Sequence, residues 1–493
     1  MEEIELNNDE LRNTTRKLDG DPKIGWLCNK NGLLLKTYEW IAQNAIGIIL
    51  LIHGLKSHTR LTFMKINLNI PNNNEDFVVD SDNYYIYKDS WIEKFNQNGY
   101  SVYALDLQGH GESQAWKNTR GDFNCYNDLV DDVIQYMCHI QDEISNDNQT
   151  NYEIANDNQA NYEISNYNQT DDEIPNNNQT NNETHDIVST KKKKLPMYII
   201  GHSMGGNIAL RVLQLLGAEK EGNINAGDEN YYKKCSIMLE NIANGIDNDM
   251  VEDIINVMDD MNTFNDSSVK DIWYKRCISN SKNDDPDIYI ANTSDKAEGF
   301  YNNLDKLNIK GCVSLSGMMK LNATRKAGDK SIKYLYLPIA KFLSRVAPNA
   351  VFSPKSGLKH SEYVADIYKY DKFRNCDKIK FKCISELIKA TVTLNCNINY
   401  MPADIPLLFV HSKDDNVCCY EGSVLFHDKA NVVNKKLHLV DGMNHAITAV
   451  PGNEEVLNEI LDWISNVRRN DEEEKDDEIN YEIESVIKDE NEI

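Results

Sequence analysis

The stretch Gly201-His202-Ser203-Met204-Gly205-Gly206-Asn207-Ile208-Ala209-Leu210 constrains this chain more than any other. The apolar run from Met197 to Ile200 before it has strand length, and Met204 to Leu216 after it reads as a helix. A chain that passes from strand to helix over so few residues turns sharply, and Ser203 sits at that turn. Such a turn strains the serine backbone and leaves no room for bulk beside it, so Gly201, Gly205 and Gly206 are the residue types it needs. The helix start then aims free N–H groups and a positive dipole end at any oxyanion formed at the serine. A glycine-rich strand–helix turn can also be free of chemistry. Here the strand and the helix both lie where a serine nucleophile needs them.

Around this turn the chain alternates strands and helices. Trp26 to Cys28 and Leu33 to Tyr38 flank Asn31-Gly32, a hairpin signal. Ala45 to Ile52, Tyr100 to Leu105, Ile309 to Ser316, Ile405 to His411 and Lys436 to Val440 read as further strands, mostly continuous apolar runs buried on both faces. Trp91 to Asn96, Tyr126 to Ile140, Glu421 to Ala430 and Glu454 to Val467 suit helices. In the second of these, Leu129, Val130, Val133, Ile134, Met137 and Ile140 share one face, and Asp128, Asp131 and Asp132 are expected on the solvated one. The fold class is α/β: a mostly parallel sheet with helices on both faces.

Length alone allows more than one domain, with 493 residues present. The interruptions account for much of it. Residues 141–195 hold a decapeptide repeat (QDEISNDNQT, NYEIANDNQA, NYEISNYNQT, DDEIPNNNQT), too polar to bury a core. Residues 218–305 form a second, acidic insertion, and 61–88 read as an extra surface loop. The expected organisation is therefore a flexible start over 1–22, core over 23–140, 196–217, 306–317 and 404–469, and an acidic disordered tail over 470–493. The net charge of −26 argues against nucleic acid as a partner. Eleven scattered cysteines lack metal spacing and read as reduced thiols. The first residues are acidic and carry no apolar leader pattern, and no run reaches a bilayer-spanning length, so a cytoplasmic location is expected.

A serine hydroxyl does not attack an ester unaided; it needs a base, and the base an orienting acid. In sheets of this type functional residues sit beyond the carboxyl ends of strands. His445 follows the last strand, in Asp441-Gly442-Met443-Asn444-His445, and Asp414-Asp415 follows the strand before it. The order serine, acid, histidine is thereby complete with Ser203, Asp415 and His445. Asp414 competes for the acid role, because only one of two adjacent side chains in extended chain points inward. The backbone N–H of Met204 supplies one half of an oxyanion hole. The other is expected from Leu55, after His53-Gly54 at the end of an earlier strand. No metal or organic cofactor is called for.

These residues together resemble the monoacylglycerol lipases and lysophospholipase-like serine hydrolases of the α/β-hydrolase superfamily, in their expanded parasite branch. The resemblance rests on His53-Gly54 with His58 and Arg60, on Asp106-x-x-Gly109-His110-Gly111-x-Ser113, on the Gly201–Gly206 turn, on Asp366-Ile367-Tyr368, and on the acid and histidine loops. The family's acid loop reads G-x-x-D; aligning on it selects Asp415 and puts Ser412 where the glycine stands. The resemblance implies a helical cap over 318–403, a thiol at Cys418 near the pocket, and a monoacyl lipid or small ester as substrate. It also implies peripheral membrane contact through the cap. Acyl transfer and a non-catalytic interaction protein on the same scaffold are the alternatives; the sequence leaves acyl length, headgroup and oligomeric state open.

Overall fold

The computed structural model describes residues 18–67, 83–144, 194–220, 288–289, 304–321, 351–352, 367–374 and 379–491. Asn31-Gly32 turns the chain as expected: Lys23–Cys28 (β1) pairs antiparallel with Leu34–Trp40 (β2). The apolar runs form Gly47–Ile52 (β3), Tyr100–Leu105 (β4), Met197–His202 (β5), Ile309–Leu315 (β6) and Leu407–Ser412 (β7), and Lys435–Val440 is β8. Every residue of β3, β4, β5 and β7 is buried, which is why these strands are mostly apolar and do not alternate. Across the sheet the order is β8-β7-β6-β5-β3-β4-β2-β1, with the two-residue strand Ile288–Tyr289 beyond β1. Strands β8 to β4 run parallel, and β2 joins β4 antiparallel.

The helices are Thr59–Phe63 (α1), Trp91–Gln97 (α2), 126–144 (α3), Met204–Lys220 (α4), Phe381–Cys396 (α5), Tyr420–Lys429 (α6) and Asn453–Asn491 (α7). Two apolar clusters cover the two faces of the sheet. One gathers Leu129, Val133, Ile208, Leu213 and Leu394; the other gathers Trp91, Phe95, Val456, Ile460 and Ile464. The chain goes from β3 to β4 on one side, then returns past β3 to β5 on the other. The carboxyl ends of β3 and β5 therefore adjoin where the winding reverses, the place such sheets use for ligands. The register puts Ile52 beside Gly201, so His53-Gly54 and Ser203 leave neighbouring strands together.

Four expectations are revised. The stems of the segment read as a surface loop are core: Leu61, Phe63, Met64, Ile66, Tyr84 and Tyr85 are buried, and Lys65–Ile66 pairs with Tyr85–Ile86. The acids of α3 are buried too, because the β1–β2 turn lies over them. Lys30 bridges Asp128 and Asp131, and Asn29 donates to Asp132. The end of the stretch assigned to the cap is core, since α5 sets Cys383, Leu387, Ala390 and Leu394 into the main cluster. The closing helix does not stop near Val467 but runs to Asn491; glutamate and lysine are good helix formers, and Arg468–Glu472 is an i,i+4 pair. Most of both insertions and of the cap stretch, and Asp366, lie outside the described residues. No helix among the described residues is long and apolar enough to cross a membrane.

Candidate active site

Ser203 stands alone between β5 and α4 with φ +57°, in the left-handed region that a side chain avoids without cause. The glycines around it follow from backbone crowding. A Cβ on Gly205 would meet the Ile52 carbonyl at 2.2 Å, and one on Gly201 the Gly205 carbonyl at the same distance. The turn is anchored by Ser203 N–H to the Leu315 carbonyl, 2.9 Å, and by Met318 N–H to the Ser203 carbonyl, 3.0 Å.

The structure brings the three expected side chains together. His445 Nε2 lies 2.8 Å from Ser203 Oγ, and His445 Nδ1 lies 2.7 Å from Asp415 Oδ2. Asp415 Oδ1 accepts the amides of Val417, 2.8 Å, and Cys418, 2.9 Å. Burial pushes the Asp415 carboxyl up, but His445, a hydrogen bond from His411 and these amides outweigh it and hold the group well below the usual carboxylate range. Asp414 points to solvent, where it accepts the Gly442 amide at 2.7 Å. The loops after β7 and β8 are joined by Ser412, whose hydroxyl donates to the Met443 carbonyl. The residue that departs from the family's glycine thus ties the acid loop to the histidine loop.

The loop after β3 lies across from the serine; a Cβ on Gly54 would come within 2.9 Å of the Ser203 Cβ. His53 Nε2 accepts the Leu107 amide at 2.9 Å, so Nδ1 carries the proton and donates to the Gly54 carbonyl at 2.8 Å. That grip fixes the plane of the peptide carrying the Leu55 N–H. Burial, with His110 nearby, pushes the His53 imidazole down to about 3, so it stays neutral. Met204 is the first residue of α4, and its N–H has no carbonyl in a preceding turn to bond. Asp106 braces the same loop, accepting the amides of Thr59 and Glu112 and the Tyr38 hydroxyl. Arg60 pairs with Glu112 and lies over the Tyr85 ring. His58 caps α1 and, fully buried, meets Asp371 at 3.1 Å.

Three features near the serine were not singled out from sequence alone. Cys418, marked only by family resemblance, is buried; burial and then Asp415 push its thiol well up, and Ser203 opposes them. His202 donates Nε2–H to the His445 carbonyl at 2.9 Å, and burial and then His445 push its imidazole down to about 3. His411 backs Asp415 from within β7. The available signal was a histidine directly after the apolar run Leu407 to Val410; a polar residue buried at the end of such a run needs partners.

The comparisons agree with this architecture. The family described as serine aminopeptidase, S33, matches residues 82–151 and 301–450, stretches that hold Asp415 and His445 and flank Ser203. A soluble variant of monoglyceride lipase from Saccharomyces cerevisiae, solved with a substrate analogue, superposes with a TM-score of 0.50 at 14% identity, over 90% of this chain and 96% of that one. The chain has the α/β-hydrolase fold, the one that monoglyceride lipase has. The monoacylglycerol lipase of Paleococcus ferrophilus gives a TM-score of 0.46 at 15% identity, over 88% of this chain and 99% of its own. An abhydrolase domain-containing protein of Dictyostelium discoideum is 27% identical over 206 residues, 40% of this chain; the match spans only 21% of that relative's length.

Proposed function

We propose that this hydrolase cleaves the carboxylic ester of a monoacyl lipid, a monoacylglycerol or a lysophospholipid, through an acyl-enzyme. The observation that carries the reading is the unbroken relay Ser203 Oγ–His445–Asp415, with contacts of 2.8 and 2.7 Å. In that reading His445 takes the Ser203 proton as Oγ attacks the ester carbonyl and then gives it to the departing alcohol. Water, deprotonated by the same histidine, releases the fatty acid. Asp415 holds the Nδ1–H tautomer and stabilises the imidazolium. The amides of Leu55 and Met204 take the charge of the tetrahedral intermediate. The choice of a monoacyl lipid rests on the resemblance and on the fold shared with monoglyceride lipase. A cytosolic location, with a cap that meets the membrane surface, belongs to the same proposal.

The test is fluorophosphonate labelling of the full chain beside Ser203→Ala and His445→Ala, followed by turnover of monoacylglycerol and lysophospholipid series. Labelling is expected to vanish in Ser203→Ala, and kcat to fall by roughly 10⁴-fold or more in either variant. A well-folded wild type that takes no label would overturn the reading. Glycerol-releasing and lysophospholipid substrates then compete on kcat/KM to decide the headgroup.

A further inference from the structure

We propose that His411 is a positioning residue: its ring N–H shares Asp415 Oδ2 with His445 and thereby sets how strongly the acid holds the base. The inference rests on the ester-hydrolase reading of Ser203, Asp415 and His445, and it concerns a residue outside that triad.

The hydrogen-bond geometry fixes where the His411 proton lies. Its Nε2 faces two acceptors, Asp415 Oδ2 at 3.2 Å and the Cys418 carbonyl at 3.3 Å, so this nitrogen carries the proton. Its Nδ1 lies 2.7 Å from Ser423 Oγ on α6, and the serine hydroxyl donates to it. Met319 Sδ, 3.5 Å from the same hydroxyl, is a weaker acceptor than an imidazole nitrogen. The side chains of His411 and Asp415 are both fully buried. Four donors thus surround one carboxylate: Val417 and Cys418 amides on Oδ1, and two histidine rings on Oδ2.

Two donors on one oxygen compete for its charge. Charge drawn toward His411 is not available to the imidazolium of His445, so His411 weakens the hold of Asp415 on that ring. It also fixes the carboxylate from behind, on the rigid strand and not on the loop. The other titratable groups facing the pair are His202, whose ring centre stands 5.1 Å from that of His445, and Cys418 in the acid loop; Asp414 points away to solvent and the Cys419 thiol to Glu421. Burial keeps His202 neutral and the Cys418 thiol protonated around neutral pH, so neither adds a charge beside the pair there.

The experiment compares the full-length wild type with His411→Leu, His411→Gln and Ser423→Ala. It reads the acid limb of kcat/KM against pH on a monoacylglycerol and, without turnover, the NMR titration of the His445 ring. Leucine removes the donor at similar volume; glutamine restores a donor that does not titrate. In the leucine variant the acid limb and the His445 titration are expected to move to higher pH by about half a unit or more, with kcat down about tenfold. The glutamine variant is expected to return toward wild type. Ser423→Ala, which frees the tautomer, is expected to shift both readouts by a smaller amount in the same direction. A leucine variant that slows equally at every pH, with His445 titrating as in wild type, would show a packing role only and overturn the inference. So would a glutamine variant that behaves like leucine. If the wild type turns over no ester, the hydrolase reading fails, while the His445 titration still decides the role of His411.

Discussion

Asp414 and Asp415 are the same side chain one position apart, and the structure separates them by surroundings. Asp415 is buried under four donors, whereas Asp414 faces water and caps Gly442. Replacing Asp415 by Asn leaves one oxygen for the Val417 and Cys418 amides and turns an N–H toward His445 Nδ1. The ring must then take the other tautomer, which cannot accept the Ser203 proton. Asp415→Asn is expected to lower kcat by about 10³–10⁴-fold, and Asp414→Asn to stay within tenfold of wild type, by steady-state ester turnover. Alternation showed from sequence that only one of the two could point inward, and it was the resemblance, through alignment on the family's G-x-x-D loop, that selected Asp415. Ser203, His445 and the glycines were legible for a related reason: each is dictated by backbone geometry or by order along the chain. His411 was not, because its role depends on Ser423 and Asp415, which only the folded strand brings to its two nitrogens.

Periodicity read α3 well on one face and misread the other. It reports which residues are apolar but not what covers the rest. The β1–β2 turn covers Asp128, Asp131 and Asp132, and Asp132 is the deepest of them. Its Oδ1 accepts from Asn29 Nδ2 at 2.9 Å and its Oδ2 from Gln108 Nε2 at 3.1 Å. Burial pushes this carboxyl up to about 8; the two amide donors oppose that, and the neighbouring acids reinforce it. The sign of the consequence follows. Between about pH 4 and pH 8 the folded protein keeps a proton that the unfolded chain has released, so this group's share of stability falls as pH rises through that window. Neither donor can turn round. Asn29 Oδ1 holds the Asn31 and Leu33 amides, and Gln108 Oε1 holds the Asn124 amide. Asp132→Asn therefore sets donor against donor, a cost of about 1–3 kcal/mol. Its deficit in thermal midpoint is expected to be largest near pH 5 and to shrink toward pH 8, as the wild type loses its advantage. A constant deficit across that range would mean that Asp132 is ionised throughout.

At the scale of the whole chain, the core is assembled from pieces that the insertions hold apart in sequence, and the joints explain why that is tolerated. The repeat stretch leaves from the end of α3 and returns just before β5. Both stumps are fastened to one short segment ahead of β6. Gln141 Nε2 donates to the Leu307 carbonyl at 2.9 Å, and Asn308 Nδ2 donates to the Lys194 carbonyl at 2.9 Å. Lys194 Nζ adds a bond to the Lys306 carbonyl, and Met197 N–H one to the Asn308 carbonyl. The two ends of the insertion are thus held to adjacent residues by contacts that owe nothing to residues 145–193. Composition had marked this stretch as outside the core, but composition says nothing of where its ends lie; that needed the hydrogen bonds at 306–308. A flexible Gly/Ser linker of about a dozen residues in place of 145–193 should close the same gap. Because closure entropy grows only slowly with loop length, shortening the loop about fourfold is expected to raise stability by roughly 1 kcal/mol. Fluorophosphonate labelling at Ser203 should be unchanged, since no residue of the site lies in the segment removed. Chemical denaturation of the two proteins checks the first expectation and the labelling rate the second. A loss of stability in the shortened chain would mean that the repeats make contacts with the core, and a slower labelling rate that they reach the site.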